Sequence, residues 1–377
     1  MTTFDLAVVG AGIVGLAHAL AARRRGLKTI VIERDARPVG ASIRNFGFVT
    51  VTGQGRGETW RRARRSAAIW AEVAPRAQID IEHRGLVVLA RRSEAATVLE
   101  AFAATEMGEG CNVLTAAQAS TRFPEIRPCD LKGALFSPHE LRVESQTAIP
   151  KLIAWLEGAG VEFLFAAAAH AIEPPAIDTS RGEIRARAAI VCPGDDFATL
   201  YPDAIAARGV SRCILQMLRL APPGVRLPAA IMSDLSLVRY RGYAELPESA
   251  PLRARLEREQ PDHLAAGIHL IAVQSADGSL VVGDSHHYGA APEPFADAAV
   301  ERLILDEAQA ALGFSPPVRA RWTGTYASAA DDMFRAAPGA HVRLVIVTSG
   351  TGASTAFAIA EETLADLFGA FKERPLP

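Results

Sequence analysis

Residues 283–289 read GDSHHYG, so an aspartate, a serine, two adjacent imidazoles and a phenol follow the apolar run 279–282. Four roles are open to such a set: metal ligation, a proton relay, an anion clamp, or plain hydrogen bonding at a strand end. His286 and His287 are neighbours, and neighbouring strand residues point to opposite faces, so they are poorly placed to share one ion. No other His/Cys cluster at ligand spacing accompanies them, and no metal is expected. At most one of the two faces a site, where a nearby anion would help it hold a proton. An anion clamp is the functional reading, with a histidine bonded within the fold standing equally open beside it. A second stretch, SLVRYRGY (236–243), alternates like a strand. That pattern puts Arg239, Arg241 and Tyr243 on one face and Tyr240 on the other. Arginine and tyrosine are the residue types that hold a small anion, although each could equally be a surface or core residue.

A site of that kind needs a frame, and the first thirty-five residues supply one. The apolar run DLAVV (5–9) has the pattern of a buried parallel strand, and GAGIVG follows at once. A helical stretch closes at Gly26, and a second apolar run, 29–32, ends in Glu33 and Arg34. This is a βαβ unit with a dinucleotide fingerprint in its expected context. Gly10 permits the tight turn, Gly12 lets backbone approach a pyrophosphate, and Gly15 lets helix and strand pack closely. Ile13 and Val14 open the helix, whose free N–H groups face the anion. Glu33 is suited to a ribose diol.

The fingerprint alone does not separate FAD from NAD. The loop PVGASIRNFGFV (38–49), with Ala41, Ser42, Arg44, Asn45, Phe46 and Gly47, is suited to lining a long buried FAD. Near the C-terminus a strand, 344–347, runs into TSGTGAST. Gly350, Thr351, Gly352 and Ala353 form a turn there, and Ser354 or Thr355 could cap the helix that follows. A second helix N-terminus aimed at the cofactor would stabilise an anionic reduced flavin. The segment AAIVCPG (188–194), with Cys192 and Gly194, reads as a strand returning to the nucleotide site, and Ala169 lies in the alanine-rich stretch before it. FAD is favoured.

Taken in order, GAGIVG, IVIERD, GASIRNFG, AAIVCPG and TSGTGAS resemble the D-amino-acid oxidase, glycine oxidase and sarcosine oxidase superfamily of FAD proteins over essentially the whole chain. SIRNFG with RYRGY and DGSLVVGDSHHYG is similar to a narrower group associated with 2-aminoethylphosphonate breakdown. The resemblance implies an α/β fold in which a Rossmann-type FAD-binding domain (1–84, 142–208 and 318–377) interleaves with a β-sheet-rich substrate domain (85–141 and 209–317). It implies hydride transfer from a small anionic amine, with oxygen as acceptor and no obligatory acid–base residue. In the same resemblance WTGTYAS (322–328) lies beside the flavin. Gly324 stands where sarcosine oxidases carry a flavin-linking cysteine, so noncovalent FAD is expected and Tyr326 joins the substrate residues. Asn45 and Phe46 are candidates for both cofactor and substrate contact.

The remaining observations exclude more than they assign. The chain has 377 residues, 49% of them apolar, and a net charge of −2, which offers no broad basic surface for nucleic acid. Cys111, Cys129, Cys192 and Cys213 are widely spaced, so neither a disulfide framework nor a zinc site is expected. No apolar run suits a membrane span and no basic region precedes the apolar N-terminus, so the cytoplasm is the expected compartment. The stretch from 210 to 322 reads as β-rich. The expected activity is oxidation of 2-aminoethylphosphonate or its N-methyl derivative. A glycine- or sarcosine-type oxidase or D-amino-acid dehydrogenase, a nicotinamide-dependent dehydrogenase, and a flavin-binding subunit without turnover are the alternatives.

Overall fold

The computed structural model describes residues 3–370 apart from Pro292 and Pro294, so residues 1–2 and 371–377 of the expected nucleotide domain lie outside the described residues. The first apolar run forms strand β1 (Thr3–Val9), the glycine turn leads into helix α1 (Ile13–Arg24), and the second run forms β2 (Thr29–Ile32). Five parallel strands lie side by side in the order Glu162–Leu164, β2, β1, Ile184–Val191 and Val342–Ser349. Both faces of this sheet are covered, which is why its strands are apolar runs rather than alternations. Leu6 and Val8 pack toward α1 and the C-terminal helix Gly352–Phe368, whereas Ala7 faces a second core with Ile30, Ile177 and Phe334.

One long strand, Val318–Gly339, connects this half of the molecule to the other. Its C-terminal part pairs antiparallel with Val342–Ser349, and its N-terminal part with Ser211–Leu220. From there the sheet continues through Leu280–Gly283, Ile271–Gln274 and Ala230–Met232 to Ile81–Ala90 and Gly133–Val143. The β-rich reading of 210–322 holds for these strands but not for helix Ala298–Leu312 nor for 234–265. That stretch is a 3₁₀ turn, Asp234–Val238, followed by helices Arg241–Ala244, Ser249–Glu259 and Pro261–Ala265. Leu252 and Leu256, four apart and fully buried, give it a helical stripe.

SLVRYRGY is therefore not a strand. Its backbone groups bond within the segment, Tyr240 N–H to Ser236 O at 2.9 Å and Ala244 N–H to Tyr240 O at 2.8 Å. Tyr243 points away from Arg239 into the core against Phe102 (ring centroids 4.5 Å apart).

Helix α2 (Glu58–Arg76) clamps the C-terminal helix. Arg62 and Arg65 make two-pronged pairs with Glu362 and Glu361, so these charges face a partner helix rather than solvent alone. Trp70 donates its indole N–H to Ala353 O at 2.8 Å, fixing the first turn of that helix. No helix among the described residues is long and apolar enough to cross a membrane. All four cysteines are free.

Arg142, fully buried, ties the two halves together. Its guanidinium donates to Phe46 O at 3.1 Å, Gln274 O at 3.2 Å, Glu144 at 2.9 Å and Ser275 Oγ at 3.2 Å. Arg142→Met removes the guanidinium donor from two carbonyls and from Glu144, which keeps Ser275 and Arg219; each lost bond to a buried group costs about 1–3 kcal/mol. The midpoint of urea unfolding should fall accordingly; an unchanged midpoint would show that the hub contributes nothing net.

Candidate functional site

The glycine turn is shaped by close approach of backbone to backbone. Gly10 has φ +100°, and a Cβ there would sit 2.4 Å from Cys192 O; a Cβ on Gly15 would sit 1.8 Å from Gly10 O. No larger residue fits either place. Ala11 N–H donates to Glu33 Oε2 at 2.8 Å and Asp35 N–H to Oε1 at 3.0 Å, so Glu33 braces the turn with both carboxylate oxygens while still lining the cavity beside it. Ile13 N–H donates to Ser42 Oγ at 2.8 Å, which ties the 38–49 loop to the start of α1.

Helix α1 begins at Gly12 and the C-terminal helix at Thr351, and neither start is capped by its own side chain. Ser354 and Thr355 are therefore not caps. They lie inside the helix, Ser354 Oγ accepting from Thr50 N–H at 2.8 Å and Thr355 donating back to Thr351 O. Both helix starts open into one cavity of about 590 Å³.

All the cofactor residues read from the sequence line this cavity except Gly47 and Thr355. Gly47 is a glycine for a different reason: a Cβ would sit 1.7 Å from Val143 O. Asn45 lines the cavity but mainly holds its own loop, donating to Ala41 O and accepting from Gly47 N–H. Arg34 lines it while paired with Asp196 at 2.7 Å.

Of the substrate residues, Phe46, Arg239, Tyr240, His286 and Tyr326 reach the same cavity, whereas Tyr243 and His287 do not. Tyr243 is a core aromatic. His287 is exposed; it opens the short strand His287–Gly289, whereas His286 lies in the irregular stretch before it. Tyr326 packs against Gly350, beside the turn of the C-terminal helix. Gly324 is buried in the cavity wall against Arg44 O. Arg239 donates to the Tyr288 hydroxyl at 3.0 Å, and no carboxylate among the described residues lies within ion-pairing distance of it.

Sequence reasoning missed His269 and the part played by Asp284. Asp284 lies within GDSHHYG with no role legible from its spacing, and His269 precedes an apolar strand. The only signal was a polar residue at each end of two paired strands. In the structure His269 Nε2 lies 3.1 Å from Asp284 Oδ1, and His286 Nε2 lies 3.9 Å from Oδ2. The imidazole rings of His269 and His286 stack at 5.2 Å. The three side chains are buried, and their polar atoms are close enough to surround one small cation. Burial pushes Asp284 upward, but His286, His269 and Arg239 outweigh it and hold the carboxyl below its usual range. Burial also keeps His269 low and pushes His286 down to about 3, despite Asp284. Asp284 is thus held as a carboxylate beside two buried imidazoles.

The family model described as FAD dependent oxidoreductase (DAO) matches residues 5–367, and the chain belongs to that family. Among solved structures it is similar to glycine oxidase from Geobacillus kaustophilus, with TM-score 0.77, 18% identity, and 97% of this chain and 95% of that one covered. L-proline dehydrogenase from P. horikoshii gives TM-score 0.77 at 17% identity, covering 99% and 95%. L-alpha-glycerophosphate oxidase from Mycoplasma pneumoniae, solved with FAD bound, gives 0.74 at 14% identity, covering 100% and 97%. No sequence among curated proteins matches.

The cofactor is FAD, and the cavity suits it. Two uncapped helix starts face it, its glycines leave room where a Cβ would intrude, and Glu33 reaches it from the end of β2. Glu33→Ala removes two charge-assisted bonds, each worth about 1.5–3 kcal/mol, so FAD affinity should drop at least tenfold. Flavin absorbance of the purified variant measures this, and full retention would mean that the turn holds without Glu33.

Proposed function

We propose that the protein is an FAD-dependent amine oxidase acting on a small amine with an anionic tail. The observation that carries this reading is Arg239: a guanidinium on the wall of the FAD cavity, bonded to a neutral phenol and to no carboxylate among the described residues. Such a fork is free to take a phosphonate or carboxylate in two-pronged fashion. The narrower sequence likeness favours 2-aminoethylphosphonate or its N-methyl derivative, which would give phosphonoacetaldehyde with ammonia or methylamine. A carboxylate tail, as in glycine or sarcosine, is the second reading, supported by the likeness to a glycine oxidase.

Bound FAD supplies the hydride acceptor for breaking the Cα–H bond next to nitrogen. The chain's own residues hold and orient the substrate. Arg239 and Tyr288 fix the tail, Tyr240 and Tyr326 wall the cavity with their rings, and Phe46 shields the reacting carbon from water. Gly324 leaves no thiol for a flavin linkage, so FAD is held noncovalently, and we take oxygen as the reoxidant. The division into an FAD domain (1–84, 142–208, 318–377) and a substrate domain (85–141, 209–317) is supported by separate buried cores on the two sides.

Anaerobic addition of 2-aminoethylphosphonate, its N-methyl derivative, glycine, sarcosine and D-alanine to the holoenzyme should bleach the flavin with the phosphonates first. Bleaching by amino acids alone moves the assignment to the second reading, and bleaching by none overturns both. Arg239→Ala should raise KM for the anionic amine about 10- to 100-fold with a smaller change for a neutral amine. Equal effects on both would make Arg239 structural.

A further inference from the structure

Arg239 can hold a substrate tail only where its own backbone is held, and that place is fixed from two sides. Upstream, the 3₁₀ turn Asp234–Val238 is anchored in its own half of the molecule, with Asp234 paired to Arg92 at 2.9 Å. Downstream, the short helix Arg241–Ala244 rests on residues that line the FAD cavity.

Two contacts make that seat. Gly242 N–H donates to Gly53 O at 3.0 Å. The fit is so close that a Cβ on Gly242 would sit 2.5 Å from Gln54 O and 2.8 Å from the Gly53 carbonyl carbon. Beside it, Arg241 Nη1 donates to Asp332 Oδ1 at 3.3 Å, and the Thr59 hydroxyl donates to the other carboxylate oxygen. Asp332 reaches this place because residues 329–332 bulge from the long strand opposite the single residue Thr348.

Both contacts trace back to one element. Thr50, in the same loop as Gly53, donates its N–H to Ser354 Oγ in the first turn of the C-terminal helix at 2.8 Å. Asp332 O accepts from Ser349 Oγ at 3.0 Å, just ahead of that turn. This is one of the two helix starts that open into the FAD cavity. Two separate chains of contacts thus tie the segment carrying Arg239 to an element that faces the cofactor.

Resting on the reading of Arg239 as the tail-binding fork, we infer that Arg241, Gly242 and Asp332 are positioning residues that set the distance from the fork to FAD and so select the length of the amine. A tail held at a fixed place brings the Cα–H bond up to the hydride acceptor for one spacing between tail and nitrogen. A substrate one carbon longer carries that bond past it.

The test compares anaerobic flavin reduction by 2-aminoethylphosphonate and by 3-aminopropylphosphonate in the wild-type holoenzyme and in Gly242→Ala. The wild type should be reduced faster by the shorter amine. The added methyl group pushes the segment away from Gln54 and lengthens the gap, so the limiting rate with the shorter amine should fall about 10- to 100-fold. The longer amine should lose less, so the preference narrows or inverts. Calorimetric binding of ethylphosphonate, which has the tail but no nitrogen, should be unchanged, because Arg239 moves without losing its fork. Arg241→Met, at an exposed position, should shift the preference the same way by about two- to fivefold. Glu245→Gln removes only the pair within the short helix and should leave the preference as in the wild type.

An equal loss with both amines, no change in Gly242→Ala, or no length preference in the wild type would overturn the inference and leave the oxidase reading intact. If only amino acids reduce the wild type, glycine and β-alanine supply the short and long pair. If no amine reduces it, the functional reading falls and the inference with it. Should Gly242→Ala fail to retain FAD, Arg241→Met gives the same readout.

Discussion

Two helices begin without a cap from their own N-terminal side chains and point their first turns into the same cavity. Each start leaves N–H groups that need an acceptor, and the dipoles add to the demand for negative charge. Everything around the cavity follows from keeping those two turns open and close together. Gly10 and Gly15 bring α1 against β1 by removing the Cβ atoms that would collide. Trp70, Arg62 and Arg65 anchor the C-terminal helix from α2. Glu33 and Ser42 satisfy N–H groups at the edge of the first turn and so hold its shape.

The far end of the cavity reverses the pattern. There the chain presents a cationic fork, Arg239, and a buried carboxylate, Asp284, between two imidazoles. Under the proposed function, a ligand carrying both charges has a partner for each. Size alone would not sort ligands in a cavity built to hold FAD.

Much of this was legible in the sequence where local rules fix the answer. The βαβ unit, the returning strand Ile184–Val191 and the C-terminal strand and helix all follow from apolar runs bounded by glycine turns. Strand alternation is not what separates His286 from His287, because the strand begins only at His287. What failed did so for physical reasons. Tyr243 and Gly47 carry the residue types of a site but are fixed by packing against distant backbone and rings, which spacing does not encode. SLVRYRGY is too short for its alternation to outweigh internal hydrogen bonds. His269 and Asp284 meet across the hairpin of Ile271–Gln274 and Leu280–Gly283, whose apolar strands are readable in the sequence; the register that sets the two flanking polar residues opposite each other is not.

The strand Val318–Gly339 belongs to both halves at once, and its neighbour Val342–Ser349 completes the parallel sheet begun by β1. During synthesis on the ribosome, the first forty residues of the cofactor site emerge long before the last strand and helix that close it. For most of translation, at about 5–20 residues per second, the nascent chain therefore exposes an unfinished sheet edge and an apolar helix face. A complete cofactor cavity therefore exists only once the last strand and helix have emerged and docked.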